Sequence, residues 1–340
     1  NVGLGTSAYV AALLLSDFAL TGFATLPLSP ATGDHPSLAG RFGVLGPIVA
    51  RIYETPIPQD WVGFATQMHH QLSGGPSYLL GQTRMTGWWY YYLLAAAVKV
   101  PLSFWLLATL RLAIAARPDA RRGPSDRMLV QVMILFLIVT ALGSSRNYGL
   151  RYLLPLAPLA IVWVSRVARD QPEESIGRRR FQTAVVAVGL VGQAVATAAV
   201  HPNELTYFHV IAGGPKGGRY ILADSNLDWG QGLNSLARLQ SQRPEFRDLT
   251  FYYFGETDPA YYGVVGTCYT VNAVDDQSEL PPLGSATTPY VAVSASLQFG
   301  PWGPPGFFKK LDGVAPTDMT DDATIAVYRT SEVVTRAGLD

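Results

Sequence analysis

The sequence predicts a membrane all-α polytopic bundle followed by an external α/β domain. Three observations point there: a shortage of charge, a run of long apolar stretches before residue 200, and a change of texture after His201. Only 15% of the 340 residues are charged, against about a quarter in ordinary soluble domains. Lys and Arg number 25 and so do Asp and Glu, so the chain lacks the basic excess on which nucleic-acid binding depends. One cysteine, Cys268, excludes an internal disulfide framework and a Cys-based zinc site, and no metal site is expected. The chain opens on Asn1 without a basic leader, which reads as a chain whose beginning lies upstream.

About five stretches approach the roughly 20 residues needed to cross a bilayer: Ala8–Leu28, Trp88–Leu110, Met128–Gly143, Tyr152–Val167 and Thr183–Val200. Residues 1–200 are therefore expected to form a transmembrane domain, with an external loop over 29–87. Arginines set the orientation. Arg117, Arg121, Arg122 and Arg127 fill one loop, and Arg166, Arg169, Arg178, Arg179 and Arg180 another. Both then face the cytoplasm, which puts 29–87, 144–151 and 201–340 outside, on the periplasmic side of an inner or plasma membrane. Trp88 to Tyr92 read as an aromatic belt at the outer end of the second span.

The loop 29–87 exceeds a mere connector. Leu38, Phe42, Leu45, Val49 and Ile52, then Trp61, Phe64, Ala65, Met68 and Leu72 after Asp60, recur at helical spacing. Such helices can lie flat in the interface, as a lid or as the wall of a lipid-facing site.

Residues 201–340 read as a soluble α/β domain. Tyr220–Ala223, Leu249–Phe254, Tyr290–Ser296 and Thr324–Tyr328 have strand character. Helices are expected over about 204–211 and 228–240. The most unusual stretch is Asp224-Ser225-Asn226-Leu227-Asp228-Trp229-Gly230-Gln231. Its Asp-x-Asn-x-Asp start resembles a calcium loop, but positions six and twelve are Trp229 and Ser235 instead of glycine and glutamate. Two readings remain open. Asp224 closes an Asx-turn and Asp228 caps a helix, or Asp224, Asn226, Asp228, Trp229 and Gln231 line a sugar pocket in which Trp229 stacks and Gln231 hydrogen-bonds.

Four stretches resemble the polyprenyl-phosphate-dependent glycosyltransferases of the protein-mannosyltransferase-like class, glycosyltransferase family 39 and its bacterial relatives. They are Tyr78-Leu79-Leu80-Gly81 with Gly87-Trp88-Trp89-Tyr90-Tyr91 and Lys99-Val100-Pro101; Asn147-Tyr148-Gly149-Leu150-Arg151-Tyr152-Leu153-Leu154-Pro155; Tyr207-Phe208 through Pro215 into Asp224–Gln231; and Tyr253-Phe254-Gly255 with Asp258 to Gly263. The resemblance covers the C-terminal half of such proteins. It implies a GT-C fold and transfer of a sugar from a lipid-phosphate donor on the external face, with no cofactor besides that donor. In that family the catalytic carboxylate lies in the first external loop, which would precede Asn1. Asp34 and Asp60 match no acidic motif of the family, so no catalytic residue carries over.

Such chemistry needs cations on the leaving phosphate, and arginine grips phosphate bidentately. Arg151, inside a family-like stretch, and Arg146 are the first candidates; His69, His70 and Tyr78 follow, and helix-end anchoring is the competing role. Asp17 and Lys99 fall at matched depths near the bilayer midplane, where an isolated charge is costly, and are candidates for an intramembrane ion pair. The expected function is thus the C-terminal part of an integral membrane glycosyltransferase, with membrane lipid and a lipid-linked sugar as partners. The alternative is a non-catalytic membrane scaffold that keeps the fold inside a larger complex of membrane proteins.

Overall fold

The computed structural model describes residues 25–27, 55–59, 61–63, 66–67, 74–116, 124–143, 145–168, 175–271, 280–300, 302–304 and 306–337. Residues 1–74 and 75–340 form two separate compact units. In the first, β1 (Thr25–Pro27) pairs antiparallel with β2 (Pro56–Pro58), and helical turns occupy 61–63 and 66–67. Asp17, His69, His70 and the periodic stretch 38–52 lie outside the described residues.

The second unit opens with the hairpin β3 (Ser77–Leu79) and β4 (Gln82–Arg84). Its turn residues Leu80 and Gly81 have φ of 49° and 79°, the left-handed pair that matches strand twist in a two-residue turn. Five helices follow: α1 (Tyr91–Lys99), α2 (Leu102–Ala115), α3 (Pro124–Gly143), α4 (Leu156–Ser165) and α5 (Ile176–Ala198). α3 carries Pro124 and Asp126 in its first turn, where a missing N–H and a negative charge are both tolerated or favoured. Ser175 caps α5 by accepting from the Arg178 N–H at 3.4 Å.

The expected polytopic bundle is not what forms. Among the described residues only Ser125–Gly143 and Ile176–Ala198 are long and apolar enough to cross a membrane, and a third span exists only if α1 and α2 are counted together. That pair is bent by 109°, because Pro101 has no N–H to donate and pushes Val100 into extended backbone. α4 has ten residues and rises about 15 Å, half of a core about 30 Å thick. Where the first span was expected to end, Thr25–Pro27 is a strand. The two long helices keep a bilayer signature: Leu135, Ile138, Val139 and Leu142 on α3, and Val188, Val191 and Val195 on α5, are exposed. Arg111 of α2 and Arg166 after α4 both bind the carboxylate of Asp126, so one buried acid pairs with two cations, leaving one net positive charge, and ties three helices at one end.

The α/β part agrees with expectation in class. After the short helix α6 (Gly214–Gly218) come α7 (Leu233–Gln242), β5 (Leu249–Phe254), β6 (Thr267–Val271), β7 (Tyr290–Ser294), α8 (Ala295–Phe299), β8 (Asp318–Met319), β9 (Ile325–Arg329) and α9 (Thr330–Ala337). The strands form one mixed sheet in the order β6-β5-β7-β9-β8, parallel at β6-β5-β7 and antiparallel beyond. Every residue of β5 is buried. Tyr252 and Phe254 pack with Val291, Val293 and Tyr328 on one face; Phe251 and Tyr253 pack with Leu236, Ala292 and Val327 on the other. Burial on both faces accounts for the unbroken apolar run of this strand. Tyr220–Ala223 is a turn and not a strand, and the expected helix over 204–211 is two 3-10 turns, Glu204–Thr206 and Val210–Ala212.

One core runs from the helices into this layer: Tyr91, Tyr92 and Ala95 of α1 pack with Leu153, Phe208, Leu222, Leu227 and Phe299. Tyr91 and Tyr92 thus leave the expected aromatic belt for the interior, while Trp89 stays exposed. Asn226, 1% exposed, joins the parts. Its Nδ2 donates to Tyr91 Oη at 2.7 Å and to Ala223 O at 3.3 Å. Its Oδ1 accepts the Leu150 N–H at 3.0 Å, and its carbonyl accepts from Lys99 Nζ. Lys99 also donates to Leu205 O at 2.8 Å and lies 4.5 Å from the Phe208 ring centroid. Replacing Asn226 by Ala strands buried donors and acceptors on several elements at once, at about 1–3 kcal/mol each when unpaired. Asn226→Ala is expected to destabilise the detergent-solubilised chain by about 2–4 kcal/mol, read as a lower thermal midpoint.

Candidate functional site

The segment 146–152 and the loop 227–231 meet around Arg151. Gly149 makes the meeting possible: its φ is 91°, and a Cβ there would lie 2.8 Å from Ser225 Oγ and 3.1 Å from Asn226 Oδ1. Ser225 Oγ donates to Tyr148 O at 2.6 Å, which fixes this backbone against the 3-10 turn Asp224–Asn226. The exposed Arg151 guanidinium lies 5.8 Å from the Tyr148 ring centroid, 5.7 Å from Tyr152 and 5.5 Å from Trp229. Arg146 Nη1 donates to Tyr148 Oη at 2.6 Å. Two arginines are thereby linked through one tyrosine, and among the described residues Arg151 lies against ring faces and not a carboxylate. A guanidinium against ring faces can keep its N–H edge for an anion, since such contacts use its plane and not its edge.

The loop carrying Trp229 is pinned. Trp229 donates its N–H to Gln231 Oε1 at 2.6 Å, and Gln231 Nε2 donates to Leu227 O at 2.7 Å. Tyr253 Oη donates to Gly230 O. Asp228 is fully buried. Its Oδ1 accepts the Gly230 N–H at 2.9 Å, and its Oδ2 accepts the Ser296 N–H at 3.1 Å, while Ser296 Oγ donates to Asp228 O at 2.7 Å. This carboxylate caps α8, a helix remote in sequence; the helix it was expected to open begins later, at Leu233 behind Gly232. With this anchoring, Trp229 remains 51% exposed, its ring 6.4 Å from that of Phe254.

Of the residues singled out in the sequence, Arg151 and Trp229 lie side by side, and Arg146 is linked to Arg151 through Tyr148. Asn226, Asp228 and Gln231 build the frame around them. Asp224, with φ 54°, starts the 3-10 turn, and its carbonyl accepts the Leu227 and Asp228 N–H groups at 2.8 and 3.0 Å. Tyr78 has other partners: its Oη donates to Tyr220 O at 3.2 Å and its ring packs 5.4 Å from Phe299. Tyr148 and Tyr152 were missed as site residues, although their alternation with Arg146 and Arg151 is the visible signal. Among the described residues, no group of three or more His, Cys, Asp or Glu could hold a metal ion. No family model, curated protein or solved structure matches this chain.

Burial is the main cause that pushes the Asp228 carboxyl up to about 7, against the two N–H bonds that favour its charged form. A folded value above the unfolded value of about 3.9 means that the folded state holds the extra proton in between. Stability from this group is therefore complete below about pH 4 and is lost as pH rises toward 7. The thermal midpoint is expected to carry this downward component between pH 4 and 7, and the difference between wild type and Asp228→Asn across that range isolates it.

Proposed function

We propose that the chain recognises the phosphate of a lipid-linked sugar through Arg151 and Arg146 and acts as part of a membrane glycosyltransferase. The observation that supports this most is Arg151, exposed and clasped by Tyr148, Tyr152 and Trp229. Phosphate needs a bidentate donor, which the arginine edge supplies, and a sugar ring needs an aromatic face, which Trp229 supplies. The site lies at the start of the segment leading into the apolar helix α4, a suitable place for a headgroup whose lipid tail runs beside apolar helices. An outward-facing orientation of this surface follows the arginine-rich loops at 117–127 and 166–180.

A second reading, a non-catalytic scaffold that binds the same lipid, draws on Asp228. This acid beside Trp229 is buried and committed to backbone N–H groups, so it does not serve as the base that activates an acceptor.

Titration of the detergent-solubilised full chain with farnesyl phosphate, with farnesol as control, tests the phosphate contact. Arg151→Lys is expected to weaken farnesyl phosphate binding about tenfold and Arg151→Ala further, because a point charge replaces a fork or is lost altogether; unchanged affinity in Arg151→Ala overturns the proposal. Release of polyprenyl phosphate from a polyprenyl-phosphate sugar by the intact chain supports the enzyme, and binding without release supports the scaffold.

A further inference from the structure

A cleft of about 850 Å³ lies between the β3-β4 hairpin, α8 and the segment 302–316. Its walls include Tyr78, Tyr220, Phe299 and Trp302, with Lys309 and Asp312 also lining it. Behind the aromatic wall sits Arg219, 0% exposed. Its guanidinium is 5.1 Å from the Phe299 ring centroid and 5.9 Å from that of Tyr220. Nη2 donates to Gln298 Oε1 at 2.9 Å, whereas Nε and Nη1 are buried without a hydrogen-bond partner among the described residues. Burial lowers the Arg219 pKa from its ordinary value, a sign of the cost of this uncompensated charge. Asp228, the acid whose field reaches it, is held by the backbone of Gly230 and Ser296 instead.

Gln298 passes this polarity to the cleft. It is 8% exposed and lines the cavity. Its Oε1 accepts from both Arg219 and Tyr328 Oη, each at 2.9 Å. Flipping the amide would set its NH2 against the Arg219 guanidinium, which can only donate, so the orientation is fixed and Nε2 is the atom left to serve a ligand. The cleft therefore offers a fixed N–H donor backed by a buried cation, aromatic faces and the Lys309 ammonium. Its volume falls in the range of small-ligand sites.

We propose that this cleft binds a hexopyranose bearing an anionic group, a carboxylate or a phosphate, with the ring on the aromatic wall and an oxygen accepting from Gln298 Nε2. The sugar CH groups lie against Tyr220, Phe299 or Trp302. The anionic group gains from the Arg219 field and from Lys309, while Asp312 disfavours anions on its own side. The site is separate in its residues from the Arg151 surface and does not rest on the function proposed for that surface.

Calorimetric titration of the solubilised full chain with methyl glucuronide, glucose 6-phosphate and methyl glucoside tests it. At least one anionic sugar is expected to bind tenfold or more tightly than methyl glucoside, and comparison of the two separates carboxylate from phosphate recognition. Gln298→Glu keeps an acceptor for Arg219 and Tyr328 but presents no donor to the cleft, and should weaken the anionic sugar at least tenfold. Lys309→Ala, at an exposed position where folding is not at stake, should weaken it several-fold. Arg151→Ala should leave it unchanged, and Gln298→Glu should leave farnesyl phosphate binding unchanged. Equal binding of neutral and anionic sugars, no binding of either anionic sugar, or wild-type affinity in both Gln298→Glu and Lys309→Ala overturns the proposal.

Discussion

Everything around the candidate site depends on one buried amide. Asn226 bonds at once to Tyr91 of α1, to the backbone of Leu150 and to its own turn at Ala223, and its carbonyl holds Lys99. In a low-dielectric interior such a network is strong when each member is satisfied and costly when one is missing. It therefore admits a single arrangement of α1, the segment 146–152 and the loop 224–231. Arg151 and Trp229 meet because the backbones that carry them converge on this amide, not because either side chain seeks the other.

The two ends of the helical part solve the charge problem in different ways. At one end Asp126 binds Arg111 and Arg166, so three charges reduce to one net positive. At the other end, among the described residues, two carbonyl dipoles and the Phe208 ring surround the Lys99 ammonium. Between these polar ends α3 and α5 expose apolar side chains along their length, a pattern stable in lipid and costly in water. Among the described residues two helices are thus long and apolar enough to cross a membrane, with short or bent ones packed beside them.

The two arginines with proposed roles differ in exposure and hence in what they can do. Arg151 is exposed beside three aromatic rings, so it can exchange water for a phosphate at little cost. Arg219 has already lost its water, and its unpaired N–H groups make the surrounding volume favourable to negative charge. Gln298 converts that hidden field into a directed donor. The sites share no residues, and their ligands differ in the part recognised: a phosphate edge in one, a sugar ring with an attached anion in the other.

The sequence by itself determined the elements whose stability is local or two-sided. β5, β7 and β9 were legible because strands buried on both faces must be apolar throughout, and α5 from its apolar run Thr183–Val200, although the helix starts earlier, at Ile176. The stretch 224–231 and Arg151 were singled out by unusual composition and by position at a helix end, and the structure brings Trp229 and Arg151 together. Tertiary structure decided the rest. Tyr220–Ala223 has strand composition, yet its apolar side chains serve the core that α1 and Phe208 share, and it pairs with no strand of the sheet. Trp88–Leu110 has the length of a span, yet it bends where Pro101 interrupts the hydrogen bonds and Lys99 finds its carbonyls. Asp228 looked like a local cap and became the cap of α8. Arg219 gave no signal at all, because its meaning lies in Gln298, Phe299 and Tyr328, residues far along the chain that only folding brings against it.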